Sequence, residues 1–398
     1  MSGTKIKQKV VDPVADFLRA ETAGGFALLA GALAALIWVN LVDASGYESV
    51  WATDLRIGVG AAAIDEDLRH WINDGLMVFF FFLISLEIKR ELVVGDLREP
   101  RAAALPVIAA LGGVIVPVAI FFGLAGGGDA ADGWGITMAT DAAFALGVLA
   151  ILGDRVGIGV KLFLVTIAIV DDVMAIFVIA LVYAGDLSTG WLLAAAGGLV
   201  LVLVLRRLGV SAVTAYVPVG IAIWIATYES GVHATIAGVA LGLLTPARPI
   251  GGRNVLEELE HRIHPISSYF VLPLFALANA GVELGGSALS ESEGSRVALA
   301  VAIALVAGKL MGIAGSTLFA LRLRLGTLPD GVDLRGVLGA AALGGIGFTV
   351  SLFIAPLAYS DQTLVEGAKV GILAGSVISA ALGVAILAPG GRHPTKRE

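Results

Sequence analysis

Long apolar stretches recur along the chain and are separated by short polar segments. A helix needs about 20 mostly apolar residues to cross the hydrocarbon core of a bilayer. Twelve stretches approach or exceed that length: 23–40, 70–88, 103–123, 134–152, 162–183, 189–205, 213–227, 232–245, 266–281, 297–321, 336–357 and 365–389. A turn at Glu229, Ser230 and Gly231 divides the seventh stretch from the eighth. The pattern predicts an all-α polytopic membrane protein with twelve transmembrane helices.

Composition supports a membrane protein and excludes several other classes. Of the 398 residues, 58% are hydrophobic and 15% are charged, against about a quarter charged in soluble domains. A disordered chain or a nucleic-acid-binding surface would need far more charge. The chain has no cysteine, which excludes disulfide scaffolds, thiolate metal sites and thiol catalysis. We therefore expect residues 1–398 to form one integral membrane domain whose surroundings are lipid, with no nucleic-acid partner.

The basic residues orient the predicted spans. With twelve alternating spans and a cytoplasmic N-terminus, 21 of the 26 lysines and arginines fall in cytoplasmic segments. Outer loops hold only Arg56, Arg69 and Arg296, whereas Lys309 and Lys369 lie within spans. This asymmetry agrees with the positive-inside rule, and merging 213–227 with 232–245 would spoil it. The N-terminal segment 1–22 and the tail 390–398 are therefore predicted to be cytoplasmic.

The longest predicted outer loop covers residues 41–69. It is acidic, and polar and apolar residues alternate from Asp54 to Val59. Such alternation is typical of a short strand or hairpin, although a solvated loop is the simpler interpretation.

Charged residues inside the predicted spans indicate where function resides, because a charge at mid-bilayer costs about 3 kcal/mol on insertion scales. Asp171 and Asp172 lie near the middle of the fifth span. Neighbouring helix positions differ by about 100°, so one carboxylate can face a cavity while the other faces a helix. Lys309 lies in the middle of the tenth span, and its simplest partner is Asp171 or Asp172.

The fourth and eleventh spans contain helix-breaking sequences. The fourth carries Asp141 near its centre, and the eleventh carries clustered glycines at 344, 345 and 347. An acid at a helix break can neutralise the positive ends of facing half-helices. Each of these spans is the middle one of a three-span group, 103–183 or 297–389, and the two groups have opposite predicted polarity. The sequence therefore predicts inverted repeats with broken fourth and eleventh helices and a site at their interface.

Titratable residues also gather near the cytoplasmic ends of the predicted spans. Glu87 and Glu91 are four residues apart and share a helix face. The predicted loop 246–265 adds further groups: Glu257, Glu258, Glu260, His261 and His264. They form either a cluster that titrates near neutral pH or an ordinary interfacial charge belt. His233, at the start of the eighth span, has a functional, capping or packing role.

Short motifs in chain order resemble the NhaA family of sodium–proton antiporters. They are WINDGLM at 71–77, LEIKRE at 86–91, ATD at 139–141, FALG at 144–147, VDD at 170–172, GVHAT at 231–235, LPLFA at 272–276, NAG at 279–281, GK at 308–309 and GIGFT at 345–349. Together they cover most of the chain. The family is a known example of inverted repeats with half-helices that meet at mid-membrane, and the resemblance implies that fold here.

The resemblance also implies an activity and a set of site residues. Asp172 and Asp171 are expected to bind sodium or lithium and protons in competition, with Thr140 nearby. Asp141 is expected to balance helix dipoles, and Lys309 to pair with Asp171. The residues expected to set the pH response are Glu87, Arg90, Glu91, Glu260 and His233. The resemblance further implies a bacterial inner membrane location, no cofactor, no enzymatic activity, and a homodimer joined through the 41–69 hairpin.

Two positions depart from the family pattern. Met174 and Ser85 stand where glycine is usual, which affects local helix packing.

If two groups lose protons for each cation bound, exchange is electrogenic. A sodium- or proton-coupled solute symporter is the alternative transporter. An intramembrane aspartyl protease built on Asp141 and Asp172 and a simple channel are both poorly supported by the sequence.

Overall fold

The computed structural model describes residues 23–58, 63–210, 212–248, 253–285 and 292–389. The predicted cytoplasmic segments 1–22 and 390–398 lie outside these ranges. Most of the described residues are helical, and we number the longer helices in chain order. They are α1 (Ala23–Val42), α2 (Ala44–Trp51), α3 (Leu68–Val93), α4 (Pro100–Ala125), α5 (Ala142–Leu152), α6 (Ile158–Leu181), α7 (Thr189–Arg207), α8 (Val213–Tyr228), α9 (Thr235–Leu244), α10 (Val255–Ile266, continued by Ser267–Val271 and Leu272–Asn279), α11 (Ser292–Arg322), α12 (Leu334–Leu343), α13 (Phe348–Ala358) and α14 (Gln362–Leu387). A 3-10 helix covers Gly128–Thr137, and short 3-10 turns cover Asp96–Arg98 and Gly153–Arg155.

Seven of the described helices are long and apolar enough to cross a membrane. They are α1, α3, α4, α6, α7, α11 and α14. The number rises to nine if each of two bent helix pairs is counted as one span. Two further apolar helices, α8 and α9, are shorter. The chain is thus a multi-span helical membrane protein.

The two bent pairs fall in the fourth and eleventh predicted spans. The 3-10 helix Gly128–Thr137 and α5 meet at 51° across residues 138–141. Helices α12 and α13 meet at 41° across residues 344–347. We call these two segments the first break and the second break.

Side-chain caps explain where several helices begin. Asp141, Asp333 and Asp361 precede α5, α12 and α14, and each carboxylate accepts a hydrogen bond from a backbone N–H in the first turn of its helix. Such caps satisfy backbone donors that have no partner within the helix.

Close packing of small residues joins helices from the two ends of the chain. Gly112 of α4 and Gly312 of α11 face each other so tightly that a Cβ atom on either would collide with the carbonyl oxygen of the other. Gly308 packs in the same way against Pro117. Small residues at a membrane helix interface permit this approach of backbones. In addition, the ring of Phe353 on α13 packs between Phe81 and Phe275, with centroid distances of 5.1 and 6.4 Å.

The structure corrects some boundaries and supports one predicted element. Asp54–Ile57 pairs antiparallel with Ile64–Asp67, so the alternation from Asp54 does form a hairpin within the described residues. The predicted loop 41–69 also contains a helix, α2. The predicted loop 246–265 is also wrong in part, because α10 begins at Val255. Because charged residues lie on its exposed side, the hydropathy of this segment does not predict a helix.

Candidate functional site

The two breaks are in direct contact. The backbone N–H of Asp141 donates to the carbonyl oxygen of Ile346 at 2.6 Å, and Thr140 Oγ1 lies 2.8 Å from the carbonyl oxygen of Gly344. Beside them, Ser351 Oγ donates to the carbonyl oxygen of Ile136 at 2.6 Å. A break leaves backbone groups without helical partners, and here each break supplies partners for the other.

The Asp141 carboxylate serves the N-termini of two helices. Its oxygens accept hydrogen bonds from the backbone N–H of Phe144 in α5 at 2.9 Å and of Thr349 in α13 at 3.0 Å. The hydroxyl of Thr349 donates to the same carboxylate. Because each helix N-terminus carries a partial positive charge, one acid compensates both.

Lys309 and Asp171 form a fully buried ion pair. The Nζ atom lies 2.6 Å from Asp171 Oδ2, and both side chains are 0% exposed. Lys309 also donates to the carbonyl oxygen of Met138 and lies 3.2 Å from Thr140 Oγ1. Thr140 Oγ1 in turn lies 2.7 Å from Asp171 Oδ2. Lys309 and Thr140 thus both contact Asp171 Oδ2, while the other carboxylate oxygen, Asp171 Oδ1, has no hydrogen-bond partner among the described residues.

Asp172 faces a different environment from its neighbour. It is half-buried and lines a cavity of about 50 Å³ together with Thr140, Asp141 and Glu87. That volume holds a few water molecules. Because adjacent residues of a helix point in different directions, the Asp171 carboxylate lies in a buried ion pair, whereas the Asp172 carboxylate lies at a cavity.

A second charged cluster lies where α10 packs on the end of α3. Arg90 forms an ion pair with Glu260 and lies 3.7 Å from Glu91. Burial raises the pKa of the Glu260 carboxyl above its ordinary value, although the charge of Arg90 opposes the shift. Glu258, in contrast, is partly exposed to solvent, and its hydrogen bond from Arg253 holds its pKa below the ordinary value.

His233 does not join this cluster. Its Nε2 lies 2.7 Å from the carbonyl oxygen of Tyr183. Helix α9, which follows His233, packs along α3 from Val78 to Lys89, so His233 lies toward the end of α3 that is remote from Arg90. Its expected part in the pH response stays a prediction.

Some groups at the site are not apparent from the sequence pattern. Thr349 ends the GIGFT motif, directly after the glycines of the second break, and this position is the sequence signal that could have indicated its place at the site. The carbonyls of Met138, Gly344 and Ile346 carry no side-chain signal at all. Of the two departures from the family pattern, Ser85 is fully buried and packs against Gly242 of α9.

Acidic and histidine side chains do not gather into a conventional metal site in the described part of the chain. The oxygen donors around the Asp172 cavity come instead from carboxylates and hydroxyls on several helices. Such oxygen donors suit a hard cation that binds weakly and reversibly.

Comparison with known proteins assigns the family. A family model described as Na+/H+ antiporter 1 matches residues 15–387. The chain belongs to the Na+/H+ antiporter 1 family.

Members of this family from diverse bacteria match over almost their whole length. A Na(+)/H(+) antiporter NhaA of Pseudomonas putida is 45% identical, with 95% of this chain and 97% of the relative covered. A Na(+)/H(+) antiporter NhaA of Shewanella loihica is 43% identical, with 93% and 95% covered. A Na(+)/H(+) antiporter NhaA 3 of Frankia alni is 42% identical, with 97% and 90% covered. The resemblance to the NhaA family is thus confirmed.

Proposed function

We propose that this chain exchanges sodium or lithium for protons across the inner membrane of a bacterium. The names of the relatives support sodium–proton antiport. The observation that carries the proposal is the pair of adjacent aspartates: Asp171 has one orphaned carboxylate oxygen beside Lys309, and Asp172 faces the cavity.

Competition for the same oxygens couples the two fluxes. Sodium is a hard cation that favours carboxylate, hydroxyl and carbonyl oxygens. In the proposed cycle, Asp172, the orphaned oxygen of Asp171 and the Thr140 hydroxyl hold the cation. Burial favours the uncharged form of a carboxylic acid, so a proton and a sodium ion displace one another. The cation can thus bind only when protons have left.

Charge counting makes the exchange electrogenic. Binding a sodium ion between Asp171 and Asp172 requires both carboxylates, so the ion pair with Lys309 weakens and Lys309 can give up its proton. Asp172 loses one proton and Lys309 the other, so two protons move for each sodium ion. A reversal potential measured in liposomes that matches one-to-one exchange would contradict this stoichiometry.

The proposed architecture has twelve transmembrane helices, both termini in the cytoplasm and two inverted repeats. One repeat runs from α4 to α6 and the other from α11 to α14. The bend in the middle member of each, at 51° and 41°, and the contact between the breaks support this arrangement. In the same proposal, the residues that set the pH response are Glu87, Arg90, Glu91, Glu260 and His233, and the hairpin joins two copies as a homodimer.

The test uses liposomes with an acidic interior and a pH-sensitive dye. Adding sodium or lithium outside should dissipate the gradient, and potassium should not. Asp172→Asn should abolish the response, whereas Asp361→Asn, which alters an acid that caps α14 on the protein surface, should leave it intact. The absence of any response by the folded wild-type protein from mildly acidic to alkaline pH would refute antiport and favour solute symport. The cavity of about 50 Å³ already disfavours an organic substrate.

A further inference from the structure

A π-helical turn in α10 brings two serines to the cavity of Asp172. The helix changes to π geometry over Ser267–Val271 before continuing to Asn279. Both Ser267 and Ser268 are buried and line the cavity that also contains Asp172 and Glu87. π-Helical turns are frequently found at functional sites. This chain has further ones at Trp38–Val42, Trp71–Leu76 and Ala304–Gly308, so the turn alone does not mark a site and the side chains it places must be considered.

The hydroxyl of Ser267 has no hydrogen-bond partner among the described residues, although the residue is 0% exposed. Helical hydroxyls usually donate to the carbonyl four residues earlier. Thr227 and Thr317 do so here, at 2.8 and 2.6 Å. A buried polar atom without a partner commonly marks a place for an ion or a water molecule.

Burial without a partner does not by itself distinguish Ser267. The hydroxyls of Ser85, Thr235, Ser376 and Ser379 share that property, but none of these four residues lines the Asp172 cavity. Ser267 combines the two observations. The others provide matched controls, because they are buried hydroxyls without partners at other places in the fold.

The cavity walls separate oxygen donors from apolar surface. Thr140, Asp141 and Asp172 lie at the breaks and on α6, and Ser267 and Ser268 lie on α10. The lining also includes Glu87 and Thr349, and most of the rest is apolar, for example Leu83, Ile169 and Leu272. The hydroxyls of Thr140 and Thr349 already bind Asp171 and Asp141, and the other two hydroxyls of this lining lie on α10.

We propose that Ser267 and Ser268 form a second contact site for the transported cation within the cavity. The cation exchanges part of its water shell for these hydroxyls on its way to and from Asp172. Hydroxyl oxygens suit sodium and lithium because both are hard cations. This inference rests on the proposed antiport and adds specificity-determining residues on its path.

The experiment measures sodium-driven proton flux in liposomes over a range of sodium concentrations. Ser267→Ala and the double variant Ser267→Ala/Ser268→Ala should raise the half-saturating sodium concentration about three- to tenfold, as expected for the loss of one or two hydroxyl contacts. The maximal rate should change less than twofold. Ser267→Thr keeps the hydroxyl and should stay near the wild-type half-saturation value. Ser376→Ala should match the wild type.

The outcomes separate this inference from the antiport on which it depends. Wild-type protein without sodium-driven flux would refute antiport itself. Wild-type flux together with unchanged half-saturation in both serine variants would refute only the second contact site. A folded serine variant whose maximal rate falls while half-saturation stays constant would assign these serines a structural role instead, and the Ser376→Ala control would show whether any buried hydroxyl has that effect.

Discussion

The first and second breaks perform the same geometric task with different chemistry. The first break brings side chains to the site: Thr140 and Asp141, next to the Met138 carbonyl that accepts from Lys309. The second break brings only backbone, namely the carbonyls of Gly344 and Ile346. Its helix, α13, even takes its N-terminal carboxylate from Asp141 of the first break.

This difference shows that two helix bends of similar angle need not contribute equally to the chemistry of the site. The first break carries the charge and hydroxyl chemistry, and the second supplies space and carbonyl oxygens. Side-chain substitutions should therefore be most damaging at the first break, whereas the second should be sensitive mainly to added volume. Four experiments test that contrast, from the largest expected effect to the smallest.

Lys309, which is held at the first break, should give the largest effect. Lys309→Gln leaves the Asp171 carboxylate buried without its counter-charge, and breaking a buried pair costs about 3–5 kcal/mol. The measurement is the free energy of unfolding in detergent. The double variant Lys309→Gln/Asp171→Asn should recover most of the loss, and a double variant as unstable as the single one would contradict the pairing argument.

Asp141 should come next, because it serves two helix N-termini. Losing a helix cap costs about 1–2 kcal/mol, so Asp141→Ala should lower the free energy of unfolding by about 2–4 kcal/mol, since two helices are affected. Asp361→Ala is the control, because that acid caps only α14. Equal losses in the two variants would show that α13 gains nothing from Asp141.

The second break should respond to volume. A Cβ atom on Gly345 would lie 2.5 Å from the carbonyl oxygen of Leu305, so Gly345→Ala should cost about 1–3 kcal/mol through overpacking. Gly315 in α11 has open space around it, and Gly315→Ala should be neutral or stabilise the helix by up to about 1 kcal/mol. The measurement is the thermal unfolding of both variants. If Gly345→Ala is as stable as the wild type, then the second break is not tightly packed at this position.

Glu260 lies outside both breaks and should give the smallest effect. Burial raises the pKa of this carboxyl in the folded protein, so the folded state binds the proton more tightly than the unfolded chain does. The free energy of unfolding should therefore fall as pH rises from the ordinary carboxyl range through the raised pKa. Glu260→Gln cannot ionise, so its stability should lose that slope.

A flux measurement extends the Glu260 experiment. We expect Glu260→Gln to move the pH of half-maximal antiport by up to about one unit, the usual spread of carboxyl pKa values in proteins. Glu258→Gln is the matched control, since Glu258 pairs with Arg253 and Arg262 in solvent. If both variants keep the wild-type profile, the Arg90 ion pair does not take part in the pH response.

Much of the helical framework could be predicted from the sequence, because apolar length determines which segments cross a membrane. The helical breaks near Asp141 and Gly345 were also visible, as was the need of Lys309 for an acidic partner. The residues alone left that partner open between Asp171 and Asp172, because the choice depends on helix rotation. Inward-pointing carbonyls such as that of Gly344 leave no trace in side-chain patterns. The helical part of α10 before Ile266 was missed because its polar face resembles a loop.

The backbone contact between Gly112 and Gly312 has a mechanical consequence. Two helices that touch through their main chains at this point cannot slide or rotate past each other without a steric collision. We therefore expect α4 and α11 to act as a stiff central post during the transport cycle. Lys309 lies one turn from Gly312, so we expect it to stay fixed to that post and the cavity to open and close through other helices that line it, such as those that carry Glu87 and Ser267.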